Sequence, residues 1–411
     1  QSGVIAGWLR DVLLPDEQRD GHVRRCDTLV CSQEPSEATD PERTRTVVVE
    51  PMRWRAGDVD FAVSVDPAVH RPIGRRSTGP WAVADAAGPE GSVQVATPDG
   101  VVDLGADLDE NAVRALRSVG AVVGDALTAR IAEQLNACGV LTATTSGAVP
   151  DADDALAWQA ASVQARRHAL RAHGPWAALD AWPSVSVILV THRPEQLDHA
   201  MAQVAALAYP RLEVILGMHG DRFDAARVDA LVASVPHTVR TVAIDAGQTL
   251  GGALQRCSDR AGGALITKMD DDDHYGSEHI WDLVLARAYS GAQVVGKALD
   301  WIHLEHEDVT VFRPTYAAEK YAAFVAGGTM LISRADLAAV GGWRPVPKSV
   351  DRALLDRVLA DGGLVYRTHG LGYVYVRRVG DRTAAVRDAH FHTKATSTYP
   401  GLLRDRALGT A

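Results

Sequence analysis

Cysteine is scarce and scattered: Cys26, Cys31, Cys138 and Cys257 are all that 411 residues contain. So few thiols, so far apart, exclude a disulfide framework. His22, Cys26 and Cys31 are three side chains able to bind zinc, but their spacing matches no standard paired-thiolate pattern and no fourth ligand is evident. Ordinary reduced thiols are expected there. Long apolar runs are missing as well. No stretch approaches the roughly 20 residues of a membrane span, and residues 1–14 are too polar and interrupted for a secretory signal. The absent initiating Met points to a trimmed start, and the expected location is the cytoplasm. Basic residues are outnumbered, 42 Lys and Arg against 52 Asp and Glu, for a formal net charge of −10. That balance argues against a nucleic-acid partner, whose phosphates need a basic face, and weakens docking on anionic lipid. No internal repeat or low-complexity run is apparent.

What remains is a globular chain long enough for two domains. Residues 141–154, rich in Thr, Ser, Gly, Pro and Asp, separate two differently patterned halves. The expected organisation is an N-terminal α+β domain of unknown role over 1–150, a linker helix within 151–180, and an α/β domain with a C-terminal tail over 181–411. In the first half, 45–49, 59–65 and 93–96 look like short strands, and 111–137 shows helical spacing interrupted near Gly120 and Gly124. Trp54, Trp81, Arg71 and Arg75 stand out there, but an aromatic beside an arginine reads as a packing or interface pair. A homo-oligomer through this domain is a further expectation. Leu156, Val163 and Leu170 recur at roughly helical spacing, alongside Arg166, Arg167 and Arg171, which suggests a helix packed on both halves.

From Val185 strands and helices alternate. Strands are expected over 185–190, 212–216, 239–244 and 264–269, and helices over 195–207, 225–235 and 250–260. Such alternation implies parallel strands joined by right-handed crossovers, hence an open doubly wound sheet. The last strand runs straight into Asp270, Asp271, Asp272 and Asp273. Open α/β sheets place their ligand crevice at that end of the strands. Carboxylates crowded in a crevice call for a cation, and hard oxygen ligands favour Mg²⁺, Mn²⁺ or Ca²⁺ over zinc. A metal held by one or two of them keeps positions open for a diphosphate.

The succession Val185-Ser186-Val187-Ile188-Leu189-Val190-Thr191-His192-Arg193, then Gly251-Gly252-Ala253-Leu254-Gln255-Arg256, then Lys268-Met269 with the four aspartates, then Gly341-Gly342-Trp343 with Asp351 beyond, resembles family 2 glycosyltransferases with the GT-A fold. The resemblance covers about residues 183–395. It implies a metal-dependent, inverting transferase using Mn²⁺ or Mg²⁺, with a nucleotide-diphosphate sugar as donor, by family frequency a UDP-hexose. The acceptor hydroxyl would belong to a glycan, a lipid-linked sugar, a peptide or a small molecule, as in surface-glycan or natural-product glycosylation.

Residue by residue, the resemblance places Thr191, His192 and Arg193 in the loop that receives the nucleotide. Gly252, Gln255, Arg256 and Lys268 become donor contacts. Asp272 becomes the metal ligand, with Asp270 on the ribose or, through water, the metal, while Asp271 and Asp273 support the following turn. Asp351 would be the base that takes the acceptor proton. Family members usually place Glu before it, where this chain has Val350, and the family's second-strand aspartates are replaced by Gly217-Met218-His219-Gly220, so no base is implied for the nucleotide. Glycines in the segment 326–332, read as a strand, would leave space for a sugar ring, and Trp343 is either an acceptor platform or core. Arg377, Arg378, His390 and His392 fall in a closing tail. On a strand both histidines share a face; His392 is favoured as an additional metal ligand.

Competing readings fit less well. An aspartyl-phosphate phosphotransferase wants Asp-x-Asp after an early strand with Thr two places on, where His274 stands. A nucleotidyltransferase needs a Gly-rich basic loop after the first strand. An EF-hand would need Gly and Glu where Tyr275 and Trp281 occur. A non-catalytic sugar-nucleotide-binding protein of the same fold remains the alternative.

Overall fold

The computed structural model describes residues 65, 70, 82–88, 93–174, 182–378 and 389–411. Strands expected over 45–49 and 59–64, the His22, Cys26 and Cys31 set, and Trp54, Arg71, Arg75 and Trp81 lie outside the described residues.

The first unit contains β1 (Ala82–Ala87), β2 (Gln94–Thr97), β3 (Gly100–Asp103), α1 (Glu110–Ala115), β4 (Val119–Val123), α2 (Ala129–Ala137) and β5 (Leu141–Ala143). Its sheet runs β3-β2-β1-β4-β5. β4 differs from the sequence expectation of interrupted helix. Val119-Gly120-Ala121-Val122-Val123 is buried at all five positions, because β4 is central and lies parallel to both β1 and β5. A strand covered on both faces shows no alternation for a sequence reading to catch. β5 also draws the first residues of the 141–154 stretch into the sheet.

α3 (Ala155–His173) follows. Asp154 caps its start by accepting from the Ala157 amide. On one side the Ser162 hydroxyl donates to the Gly139 carbonyl at 2.6 Å. On the other, Arg166 meets Glu319 at 2.6 Å and Arg167 grips Asp282 through two bonds of 2.6 and 2.9 Å.

The larger unit is built from β6 (Val185–Thr191), α4 (Leu197–Ala205), β7 (Leu212–His219), α5 (Ala225–Ser234), β8 (Thr238–Ile244), α6 (Leu250–Ser258) and β9 (Leu265–Met269). Then come β10 (His274–Tyr275), α7 (His279–Ser290), β11 (Val294–Lys297), β12 (Trp301–Leu304), β13 (Val309–Phe312), β14 (Lys320–Tyr321) and β15 (Leu331–Ser333). The chain ends with α8 (Arg334–Ala339), α9 (Val350–Ala360), β16 (Val365–Thr368), β17 (Tyr373–Arg377), α10 (Ala389–His392) and β18 (Ser397–Pro400). Eight strands form the main sheet in the order β14-β16-β11-β15-β9-β6-β7-β8, and β10-β17-β12-β13-β18 form a second.

The expected α/β class is what the sheet shows: β9, β6, β7 and β8 are parallel neighbours. Alternation along β6 explains why both faces carry helices. Val185, Val187 and Leu189 pack with Leu197, Met201 and Trp281 of α4 and α7, whereas Ile188 packs with Leu254, Leu354 and Leu355 of α6 and α9. From β6 the chain steps outward through β7 to β8, then returns to place β9 on the other side of β6. That reversal sets the carboxyl ends of β6 and β9 side by side, where open α/β sheets hold their ligands. Two segments depart from expectation. Gly327–Thr329 is a 3₁₀ turn, and the strand begins only at Leu331; residues 389–392 are helical, not extended. No helix among the described residues is long and apolar enough to cross a membrane.

Candidate active site

Parallel pairing puts the tips of β6 and β9 side by side. Leu189 stands opposite Met269, and the same register continued two places sets Thr191 beside Asp271. The Thr191 hydroxyl donates to Asp271, and Arg193 holds the same carboxylate with Nε 3.1 Å from Oδ2 and Nη2 on Oδ1. Nη2 also lies 2.7 Å from Asp272 Oδ2, and Arg378 Nε approaches that oxygen at 3.5 Å. Thr191 and Arg193, expected in the nucleotide loop, are therefore engaged by the acidic run itself. His192 is exposed, and its carbonyl accepts from Arg222 at 2.6 Å.

Each aspartate has a different task. Asp273 is buried and accepts from the Tyr373 hydroxyl at 2.7 Å and the Val376 amide at 2.9 Å, tying the run to β17. Asp271 is closed over by Thr191 and Arg193. Asp272 is mostly buried, and the Asp270 side chain, 39% exposed, faces the crevice.

Lys268 is the penultimate residue of β9, and its ammonium reaches the same carboxylates. Nζ lies 2.8 Å from Asp270 Oδ1, 3.5 Å from Asp351 Oδ1 and 3.3 Å from the Gly327 carbonyl. Burial works against its charge, but Asp270 and Asp351 outweigh that and hold the ammonium protonated. The Tyr275 hydroxyl accepts from the Asp270 amide at 2.8 Å and donates to the Gly328 carbonyl at 3.0 Å. This places the Gly327–Thr329 turn directly against the acids. A Cβ on Gly327 would lie 2.2 Å from Asp351 Oδ2, and one on Gly328 would lie 2.8 Å from Asp270 Oδ2. Tyr275 and the linking role of Lys268 escaped the sequence reading, since neither contact follows from spacing.

Five carboxylates, Asp270 to Asp273 and Asp351, thus face three cations, Lys268, Arg193 and Arg378. The excess of negative charge works against ionisation of the buried acids. Burial, then Asp271 and Asp270, raise Asp272 even against Arg193; burial, Asp270 and Asp272 raise Asp273 well above the carboxylate range. Asp351 is raised by burial and Asp270, with Lys268 restraining the shift. Oxygen is the donor type a hard divalent cation prefers, but among the described residues these acids do not bring three ligand atoms within 4.8 Å of one another, and each is engaged by the protein's own donors.

His392 is not placed as a strand residue would be. On the short α10 its Nε2 lies 2.7 Å from Glu307 Oε2, and His390 Nε2 lies 3.3 Å from Arg313 Nη2. Among the described residues neither histidine forms a three-ligand group with the aspartates.

The glycine pair at the start of α6 serves the protein's own packing. A Cβ on Gly251 would fall 1.6 Å from the Arg344 carbonyl oxygen, and the Gly252 amide donates to its cap, Thr249 Oγ1, at 3.2 Å. Gln255 is likewise occupied: Oε1 accepts from the Trp343 amide at 2.7 Å and Nε2 donates to Asp259 at 2.7 Å. It fixes the Gly341-Gly342-Trp343 turn that leads to α9 and Asp351, and Gly342, at φ +72°, has no room for a side chain against it. Arg256 is exposed. Trp343 is core, buried with Nε1 2.9 Å from Ser258 Oγ, rather than a platform for an acceptor.

No family model matches the chain, and no curated protein does. Solved structures do match. Residues 1–349 of TarS from S. aureus, in complex with UDP-GlcNAc, are 12% identical with a TM-score of 0.40, the match covering 50% of this chain and 61% of that one. The mannosyltransferase PcManGT from Pyrobaculum calidifontis, in complex with GDP-Man and Mn²⁺, is 16% identical with a TM-score of 0.39, covering 49% and 58% respectively. The chain spans about three fifths of the length of these structures. The class of protein, an α/β fold with an acid-lined crevice at its strand tips, rests on sheet order and side-chain geometry.

Proposed function

We propose that this protein is a metal-dependent, inverting glycosyltransferase of the GT-A type, moving a hexose from a nucleotide-diphosphate sugar, UDP-linked by preference, to an acceptor hydroxyl. One observation carries the reading: Asp351, 78 residues beyond the end of the acidic run, is brought through Lys268 to the carboxylate of Asp270. A base beside an acidic strand tip is what a displacement at a sugar phosphate needs. The acceptor oxygen attacks the anomeric carbon, the bond to the donor phosphate oxygen breaks, and the nucleoside diphosphate leaves. Asp351 takes the acceptor proton. Mn²⁺ or Mg²⁺ held by Asp272, with Asp270 beside it, would neutralise the departing diphosphate as a Lewis acid. Gly327 and Gly328, lacking side chains, let the backbone of the turn lie directly against the carboxylates of Asp351 and Asp270. Arg193, Thr191 and Lys268 position the carboxylates.

Thermal-shift measurements with UDP-, GDP- and dTDP-sugars, with and without Mn²⁺, test the donor and the metal together. At roughly 100 times Kd a ligand of the folded state adds about 2.7 kcal/mol of stability. One nucleotide sugar should raise Tm, and only with the cation present; indifference to every one of them would refute the reading. A narrower test is Gly327→Ala. The new methyl must displace the Asp351 carboxylate, and misplacement by about 1 Å costs about 100-fold in rate, so transfer should fall that far with donor binding kept. Full activity in that variant would place the reacting groups elsewhere.

A non-catalytic sugar-nucleotide-binding protein is favoured by a different feature, the pairing of Asp272 with Arg193 and Arg378, which occupies the carboxylate a catalytic metal would need. Slow hydrolysis of the donor with Mn²⁺ separates the two, since a binder protects the nucleotide sugar and an enzyme releases it.

A further inference from the structure

We infer that Glu133, His168 and His173 form a binding site for a zinc-like divalent cation, remote in sequence from the acidic run and built between α2 and α3. Each residue presents one ligand atom, and the three atoms lie within 4.8 Å of one another. His173 Nε2 and Glu133 Oε2 are 3.9 Å apart. That separation is too long for a hydrogen bond. Glu133 Oε2 is inaccessible and accepts no hydrogen bond among the described residues. The rings of His168 and His173 stand edge to face with centroids 6.1 Å apart.

The donor chemistry selects the ion. Two imidazoles and one carboxylate suit a borderline cation such as Zn²⁺, which takes three protein ligands and a water in tetrahedral sites. With bonds of about 2.0–2.2 Å, ligand atoms around such an ion sit about 3.4 Å apart. The triad therefore needs to close by about 1 Å, which side-chain rotation supplies. The backbone on both sides is firmly held. Glu133 lies in the middle of α2, capped by Thr128, and the His173 carbonyl accepts from the Val65 amide at 3.1 Å. The all-oxygen crevice at Asp270 to Asp273 suits harder ions, so the two sites would differ in metal preference.

A cation here would cross-link the N-terminal sheet unit to α3, the helix whose Arg166 and Arg167 anchor in the larger unit. Its role is structural, and Glu133 and both histidines stand outside the transfer machinery.

The full chain, stripped with chelator and titrated with Zn²⁺, should bind one equivalent that is lost in the His168→Ala/His173→Ala double variant. Tm should rise by about 2 °C or more in the parent protein alone. Co²⁺ substitution should give the visible bands of a tetrahedral ion, weakened at least tenfold in affinity by Glu133→Gln, an isosteric change that leaves the packing intact. Unchanged zinc content in the double variant would place the ion elsewhere and overturn the assignment. So would failure of the parent to retain zinc, or an equal response to Mg²⁺.

Discussion

Asp351→Asn is expected to lower sugar transfer by about 10²–10⁴-fold, the usual worth of a general base, with donor binding unchanged. Asparagine keeps the shape of the side chain but cannot accept the proton. The pH profile supplies a second readout. Burial, reinforced by Asp270, raises the Asp351 carboxyl above the ordinary aspartate range, although Lys268 restrains the shift. The base works only when ionised, so activity should fall as pH drops through that raised value, and this acid limb should vanish in the residual activity of the variant. Thermal shift by donor and metal should match the parent protein. Unchanged turnover in Asp351→Asn would remove it from the reaction.

The largest stability effect is expected outside the acidic run, at Asp282 of α7. Its side chain is 1% exposed and receives Arg167 through two bonds, Lys297 at 2.6 Å and His369 at 3.4 Å. Burial opposes its charge, but Arg167 and Lys297 outweigh that and hold the carboxyl well below the usual range. Lys297, fully buried, is pushed down to about 8 by burial in spite of Asp282, so the shared carboxylate is the scarce charge in the group. Asp282→Asn should therefore destabilise by about 3–5 kcal/mol, the cost of leaving buried cations without their partner. The sign with pH follows. A carboxylate with a depressed folded-state pKa contributes stability above its unfolded value and loses it as pH falls through the folded one. Parent and variant should thus converge in stability in acid. Urea unfolding across pH measures both, and a difference under about 1 kcal/mol at neutral pH would show the pair to be replaceable.

These two aspartates illustrate what patterning reveals and hides. Asp351 was singled out by the sequence because it follows Gly341-Gly342-Trp343, and the structure places it in the first turn of α9, 3.5 Å from Lys268. Asp282 was not, since a single acid within an apolar helix carries no sign of the arginine on α3 or the lysine on β11 that meet it. Gln255, which the resemblance implied to be a donor contact, and Gly251 are engaged by the protein's own backbone. They hold the 341–346 loop, and only the approach of Arg344 and Trp343 shows it. His392 was aligned by an assumed strand, and the short helix turns it to Glu307.

The order of strands and helices from Val185 to Met269, and the acids that end it, was determined by the sequence alone. Parallel strands buried on both faces demand apolar runs, and the helices between them demand a 3.6-residue period, so local chemistry is enough. Tertiary structure alone decided which side chains share the crevice: the return of β9 beside β6, the 3₁₀ turn at Gly327, the pairing of Thr191 and Arg193 with Asp271, and the meeting of Glu133 with His168 and His173. Such contacts are set by how separate elements pack, and packing depends on shape and volume summed over the whole core, which no short stretch of residues contains.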